Sequence, residues 1–251
     1  MTMIPLPATS RDPRWRRAAA MSLATFALLA APLASLHAQV GYPPSKSPYR
    51  DIPQAGSFTF TAGRFGGNGG KLGIGPHGGT QYGLRYELRL GRPISFLVGG
   101  HYADLERLVA NPSDSVARRI TGPVKQSVVI AEAGLLFTLT GAKTWHRLAP
   151  YVGVTGGLAF GSTTPQDTTG YNFGNKFVVT PLAGIKVYFT ERLHLRGEIR
   201  STFWQIKYPA TFTQPPAKEP GGAPLITDRD LSQWTGHAVY LMGMGYAFRL
   251  F

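Results

Sequence analysis

The sequence lacks cysteine and has few charged residues. None of its 251 residues is a cysteine, and only 16% are Asp, Glu, Lys or Arg, against about 25% in ordinary soluble domains. Without cysteine the chain cannot form a disulfide, a thiolate-bound metal site, an iron–sulfur cluster, a thiol nucleophile or a lipid-anchored cysteine. Beyond residue 38 the sequence also has no apolar run long enough for a transmembrane helix.

Glycine and aromatic residues, by contrast, are abundant. The chain has 31 Gly and is 12% aromatic and 43% hydrophobic. The hydrophobic content excludes disorder across the whole chain, and the length suits one domain, or one domain with appendages. This composition favours β structure.

The first 38 residues have the order of a secretory signal peptide. A basic segment, 11–17, precedes an uncharged stretch rich in Ala and Leu, and Ala38 offers a small residue at the cleavage site. We predict a cleaved signal peptide over residues 1–38 and export to the bacterial envelope. A retained membrane anchor is the alternative, but Pro32 and the Ala content favour cleavage.

The mature chain is basic. Removal of the signal peptide leaves 22 basic and 12 acidic residues. Nucleic-acid binding is a common reason for such a charge, but export and the absence of clustered Lys and Arg argue against a nucleic-acid partner. Residues 39–55 contain four prolines, which exclude a helix and predict a flexible or extended periplasmic tail.

Eight segments alternate between apolar and polar residues with a period of two. In the clearest, Tyr and Leu residues occupy one phase, while Gln81, Arg85, Glu87 and Arg89 occupy the other. This period predicts strands with one apolar and one polar face. The predicted strands are 57–63, 81–90, 94–103, 129–140, 151–160, 179–189, 193–203 and 240–250.

The connections between these segments alternate between short and long. Such alternation is typical of a transmembrane β-barrel, with short periplasmic turns and long extracellular loops. We therefore predict an all-β fold over residues 56–251, an eight-stranded antiparallel up-and-down transmembrane barrel. The short connections lie around 91–93, 141–148 and 190–192, and the long ones around 66–80, 105–125, 162–176 and 208–236.

A soluble, lipocalin-like barrel is the alternative fold, with the apolar face inside. Two observations favour the membrane barrel. Arg85, Glu132 and Glu198 stand in mid-strand on one face, and large apolar residues cover the other. The polar face is also rich in Gly and Thr, which suits a narrow interior.

The polar phases predict a network of charges inside the barrel. We expect Lys186 and Glu198, on neighbouring strands, to form a salt bridge. The favoured role is a polar core that plugs the lumen, because eight strands leave room only for side chains; a narrow, anion-preferring pore is the alternative. The predicted network is Arg85, Glu87, Arg89, Glu132, Lys186, Arg196, Glu198, Arg200 and Arg249.

Catalytic residues are not predicted. The nearest approach to a triad is Asp230, Ser232 and His237, which could supply an orienter, nucleophile and base of a lipid A-modifying enzyme. Such residues are more often a polar loop, so we predict no catalytic activity, metal or cofactor. The other histidines considered are scattered without metal-ligand spacing: His77, His101, His146 and His194.

In these features the chain resembles the small OmpA/OmpX-like outer-membrane β-barrels, a porin-like family. The matching features are the signal peptide, four long loops against three short turns, and a C-terminal strand that ends in an aromatic-rich segment, 245–251. The resemblance implies a bacterial outer-membrane protein in contact with membrane lipid and lipopolysaccharide. It also implies a monomer whose C-terminal strand is recognised by the barrel-assembly machinery.

Overall fold

A computed structural model of the chain describes residues 47–52, 54–165, 167–228 and 230–249. The predicted signal peptide and the final Phe251 lie outside the described residues. Within the described part, no helix has both the length and the hydrophobicity needed to cross a membrane. The elements are β1 (Tyr49–Asp51), β2 (Gly56–Phe65), β3 (His77–Arg89), β4 (Ile94–Ala110), β5 (Ile120–Thr138), β6 (Lys143–Trp145), β7 (Leu148–Gly161), β8 (Asn175–Tyr188), β9 (Leu193–Lys207), a 3-10 turn (Ala210–Thr213) and β10 (Ser232–Phe248).

Eight of these strands form a closed antiparallel ring. The order around the ring is β2, β3, β4, β5, β7, β8, β9 and β10. β10 returns to β2, with Phe248 opposite Gly56 and Tyr246 opposite Phe58. Closure leaves no free sheet edge along the shared part of the ring. The predicted eight-stranded up-and-down barrel is therefore confirmed.

The two ends of the barrel differ as predicted. The connections after β3 and β8 are short and lie at one end, called here the turn end, together with 139–147, which follows β5 and contains β6. The connections after β2, β7 and β9 are longer and lie at the other end, the loop end, together with 111–119, which is no longer than 139–147 because β4 and β5 extend into the predicted loop. The strands reach further into the loop end than predicted. The outward Glu106, for example, pairs with Lys125 on β5. Charged residues at strand ends have the composition of a loop, although inward and outward residues continue to alternate there.

The outer face of the barrel is apolar. Tyr82 stands opposite Tyr102, and both are 47% exposed. Near the turn end, Phe58, Tyr86 and Phe248 cluster, with the Phe58 ring centroid 5.0 Å from that of Tyr86 and 5.6 Å from that of Phe248. Exposed apolar side chains outside and buried charges inside are the reverse of a soluble barrel.

The last part of the Pro-rich segment 39–55 lies across the turn end. β1 pairs with β6, and the backbone N–H of Ile52 donates to the carbonyl of Ala142 over 2.9 Å. Arg89 in turn donates to the carbonyl of Ile52 over 2.5 Å. This part of the predicted flexible or extended segment is thus an extended strand held by backbone hydrogen bonds, because β6 offers an edge for pairing.

Candidate functional site

The interior of the barrel is the candidate site, and its half nearer the turn end is filled by a charge layer. We define this layer by seven buried or nearly buried side chains that occupy inward positions of the alternating strands. These side chains come from β3, β5, β8 and β9, so their ion pairs join opposite walls of the barrel. Its members are Arg85, Glu87, Glu132, Lys186, Arg196, Glu198 and Arg200.

Glu198 is the centre of the layer. Both of its carboxylate oxygens accept hydrogen bonds from Arg85, each over 2.8 Å. Arg196 donates to it from Nη2 over 2.7 Å, and the hydroxyl of Tyr151 donates over 2.8 Å. A bidentate arginine and further donors satisfy this carboxylate, which burial otherwise penalises heavily.

Toward the turn end, the layer continues through Glu87. This carboxylate accepts hydrogen bonds from Lys186 and from Arg196, and Arg85 lies 3.8 Å away. The predicted salt bridge between Lys186 and Glu198 is therefore wrong. The residues stand on adjacent strands as expected, but Lys186 reaches across the lumen to Glu87 on β3.

Toward the loop end, the layer finishes at Glu132. Arg200 donates from Nη2 to both carboxylate oxygens over 2.5 Å. Thr155 donates its hydroxyl over 2.9 Å, and Nε2 of His101 lies 3.0 Å from the same carboxylate. Every described carboxylate inside the barrel thus has at least one cationic partner.

Glycines on the inner face make room for the bulky polar groups. A Cβ added to Gly83 would lie 2.1 Å from Nδ1 of His101, and one added to Gly184 would lie 2.2 Å from the hydroxyl of Tyr151. Both distances are shorter than any real contact. The high glycine content of the sequence therefore serves the packing of this narrow interior.

Two predicted members of the network lie elsewhere. Arg89 points toward the turn end, where it holds Ile52 as described. Arg249 follows the last residue of β10 and is exposed, so its assignment to the lumen is wrong. The sequence pattern predicted an inward position because Arg249 continues the alternation of β10, but β10 ends one residue earlier, at Phe248.

The half of the interior nearer the loop end has different chemistry. Here an apolar cap fills the space around Trp204, whose ring stacks on Phe65 at 5.5 Å and meets His237 at 4.5 Å and Phe173 at 5.2 Å. Trp204 is fully buried. Besides these, the cap includes Ile74, Leu105, Val128, Ile130, Val178, Ile206, Tyr208, Phe212, Ile226 and Val239.

The long loops contribute to this apolar cap. Ile74, Phe173, Phe212 and Ile226 all come from loops, and all are buried. The backbone N–H of Ile226 donates to the carbonyl of Phe212 over 3.0 Å, which folds the last loop back on itself. The long connection between β9 and β10 is therefore packed into the barrel mouth through Phe212 and Ile226.

A buried ion pair fixes the loop between β7 and β8. Nη2 of Arg107 lies 2.7 Å from Asp167, and its guanidinium stands 5.1 Å above the ring of Tyr171. Burial alone raises the pKa of Asp167, but hydrogen bonds from Thr169 and the Arg107 partner outweigh it and hold that pKa below its usual value. The loop is thus anchored to β4.

The sequence contained a signal for the cap that the strand patterns did not use. Trp204 and Ile206 continue the inward phase of β9, and Val239 and Leu241 hold the inward phase of β10. On β9, large apolar residues therefore replace polar ones on the interior face toward the loop end, and on β10 Leu241 and Val239 follow glycines in the same phase. This change of chemistry within one phase marks the start of the cap.

The three residues considered for catalysis do not form a relay. The hydroxyl of Ser232 donates to Asp230 over 2.8 Å. His237 is buried, with Nε2 3.0 Å from the hydroxyl of Thr235 and Nδ1 3.2 Å from the carbonyl of Gly66. Among the described residues, no group of three or more His, Asp or Glu side chains is placed to hold a metal ion.

No protein-family model matches the chain, and no curated protein matches it. Among solved structures, Neisserial surface protein A is 12% identical, with 80% of this chain and 98% of that chain covered and a TM-score of 0.45. The outer membrane protein OprG of Pseudomonas aeruginosa is 14% identical, with coverages of 78% and 98% and a TM-score of 0.45. The N-terminal β-barrel domain of OprF from the same organism is 15% identical, with coverages of 76% and 97% and a TM-score of 0.40. The chain is similar to these proteins at low identity, and its eight-stranded ring is established by the strand pairings described above.

Proposed function

We propose that the chain is an integral outer-membrane β-barrel with a closed lumen, and that its role is structural or lies in contacts made by its outer surface. The observation that carries this proposal is the reversal of the two faces. Phe60 and Met242 are 57% and 71% exposed on the outside, while Arg85 is fully buried inside. Only an apolar surrounding makes such an exterior favourable.

Two successive barriers support the closed lumen. The charge layer is cross-linked from wall to wall, so an ion entering from the turn end meets paired groups rather than open water. Beyond it, the apolar cap around Trp204 packs large hydrophobic side chains across the lumen, and the buried His237 beside Trp204 is already hydrogen-bonded to Thr235. A pore would need a continuous hydrated path through both barriers, since dehydrating an ion is costly.

The orientation and partners follow from the same proposal. The turn end faces the periplasm, and the loop end faces outward beside lipopolysaccharide. Residues 1–38 are removed on export, and the C-terminal strand carries the signal for the barrel-assembly machinery. The protein is a non-catalytic monomer in this proposal.

The membrane assignment is tested by refolding the mature chain into phosphatidylcholine vesicles. We expect unboiled protein to migrate differently from boiled protein on a gel, and to float with the vesicles. Identical migration of the two samples and sedimentation away from the vesicles would overturn the membrane barrel and favour the soluble one.

The closed lumen is tested by conductance in planar bilayers with protein shown to be inserted. We expect no steady conductance from the wild type. The double variant Glu198→Gln with Lys186→Met should stay silent as well, because the apolar cap still blocks the path. Glu191→Gln, which removes a carboxylate from an exposed turn outside the charge layer, is the control. Steady anion-selective steps from the wild type would replace the closed lumen with the narrow pore.

A further inference from the structure

The turn end of the barrel carries a basic rim. Two exposed carboxylates, Asp51 and Glu191, stand in this region among a larger set of exposed cations. Such a surface attracts anions from its surroundings. The cations of the rim are Arg50, Arg92, Lys143, Arg147, Arg192 and Arg249.

One part of this rim is a groove between two turns. It has a volume of about 340 Å³ and lies between Arg92 and Lys143, with Leu139 and Phe137 in its wall. The backbone N–H of Thr138 donates to the carbonyl of Pro93 over 3.0 Å, which ties one turn to the other. The two cations are thus carried by linked, ordered segments.

The groove continues as an apolar trough on the outside of the barrel. The trough has a volume of about 380 Å³, and its side chains include Leu135, Phe137, Val152 and Val154. Phe137 belongs to both hollows and is 46% exposed. It stands opposite Ile94 on β4 and Val152 on β7, so the trough crosses three neighbouring strands.

We propose that this groove and trough form a binding site for one anionic phospholipid of the periplasmic leaflet. The phosphate lies between Arg92 and Lys143, and an acyl chain lies along the trough past Phe137. The order of charge, then apolar surface, from the rim toward the middle of the barrel matches the order of headgroup and acyl chain in a lipid. The site rests on the membrane orientation proposed above.

The register at the rim makes the two cations unequal. Asp51 on β1 stands directly opposite Lys143 on β6. Its carboxylate offsets part of the Lys143 charge, because cross-strand partners share a face. Arg92 is therefore the stronger contributor, and loss of the Asp51 charge should strengthen lipid binding.

Native mass spectrometry of the refolded mature protein in non-ionic micelles tests the site. The probes are dioleoylphosphatidylglycerol and dioleoylphosphatidylcholine, which share acyl chains but differ in headgroup charge. We expect the wild type to bind the anionic lipid about 10-fold more tightly than the zwitterionic one. Arg92→Gln with Lys143→Gln should abolish this preference, and Asp51→Asn should increase it.

A matched control removes the same charge from another part of the rim. Arg192 and Arg249 lie beside β8, β9 and β10, away from the groove. The double variant Arg192→Gln with Arg249→Gln should therefore keep the preference for the anionic lipid. Equal loss in the two double variants would overturn the site and leave only a general attraction of the basic rim. The same conclusion would follow if the wild type showed no preference.

The soluble headgroup glycerophosphoglycerol distinguishes a lipid from a free phosphate. We expect it to compete poorly, because it lacks the chain that occupies the trough. Leu135→Gln should weaken the binding of both lipids, because it places a polar group in the trough. Each variant is first checked for heat-modifiable migration, so a folded barrel that shows no lipid preference overturns this site without touching the proposed barrel.

Discussion

The two halves of the barrel interior are filled by side chains that pack through different physics. Near the turn end, Glu198 and its partners fill the space through directional, charge-assisted hydrogen bonds. Near the loop end, Trp204 and its neighbours fill it by close packing. The ring of strands is continuous through both halves, so the difference comes from the side chains alone. An interior of this width can be filled either by a fully paired set of charged side chains or by close-packed apolar ones.

The two solutions differ in how they fail. A buried carboxylate that loses its charge leaves its cations desolvated and unpaired, whatever the volume of the replacement. An apolar side chain that is replaced by another of similar size loses little, and only a change in volume is costly. The charge layer should therefore be sensitive to charge and the cap to volume.

The largest effect is expected from Glu198→Gln. This change removes the bidentate carboxylate partner of Arg85 and one of the two carboxylate partners of Arg196, and we expect it to lower the free energy of unfolding by about 5 kcal/mol. The measurement is urea unfolding of refolded protein in micelles, followed by tryptophan fluorescence. Glu191→Gln is the control and should be neutral. If Glu198→Gln unfolds at the same urea concentration as the wild type, the charge layer does not hold the walls together.

The next effect is expected from Trp204→Ala, which creates a cavity in the apolar cap. We expect a loss of about 3 kcal/mol in the free energy of unfolding, and Trp204→Phe should recover most of it. Trp234→Ala is the control, because Trp234 is 57% exposed at the same end. Equal losses for Trp204→Ala and Trp204→Phe would show that volume is not what the cap requires.

A smaller and local effect is expected from Asp167→Asn. We expect the loop 162–174 to lose about 2 kcal/mol of local stability, because Arg107 remains buried without its anion. The measurement is hydrogen exchange of that loop, corrected for intrinsic rates. Asp228→Asn removes an exposed partner of Lys71 and is the control.

The same ion pair predicts a pH dependence of the cap. Because the folded pKa of Asp167 is depressed, its stabilisation is fully present above the ordinary carboxyl pKa, near 4, and is lost as the pH falls through the lower folded value. Exchange of the loop should therefore rise in the wild type as the pH falls below about 4. Asp167→Asn should show no such rise; an equal rise in the variant would place the titrating group elsewhere.

The smallest effect is expected from Tyr151→Phe. The change removes one hydrogen bond to Glu198, while Arg85 and Arg196 stay in place, so the expected loss is about 1 kcal/mol. Urea unfolding measures it, with the outward-facing Tyr82→Phe as the control. A loss as large as that of Glu198→Gln would mean that the hydroxyl, rather than the arginines, holds the carboxylate.

The strands could be predicted because a barrel wall imposes one simple rule. Between Gln81 and Leu90 every second residue meets the exterior, and the alternation is complete. The ends of the strands were harder, since Glu106 and Lys125 pair across β4 and β5 yet have the composition of a loop. Alternation of apolar and polar residues predicts a strand only where the two faces of that strand differ in polarity.

The partners inside the lumen could not be predicted. Arg85 and Glu198 are 113 residues apart in sequence and stand on strands that are not neighbours. Only closure of the ring brings them face to face. Sequence distance and strand adjacency instead favoured Lys186 as the partner of Glu198, and the long side chain of Lys186 reached Glu87 on the far wall.

The strand lengths also determine how high the protein stands above the membrane. β4 and β5 have 17 and 19 residues, whereas a tilted strand needs about 9 to 11 to cross the hydrocarbon region. The remaining eight or so residues of each strand raise the hairpin by about 20 Å beyond the membrane. β2, with 10 residues, ends near the membrane surface. The rim of the loop end is therefore sloped. In the orientation proposed above, the segment 111–119 projects beyond the membrane surface together with the part of the β9–β10 connection that it contacts, where Glu219 accepts a hydrogen bond from the backbone of Val116.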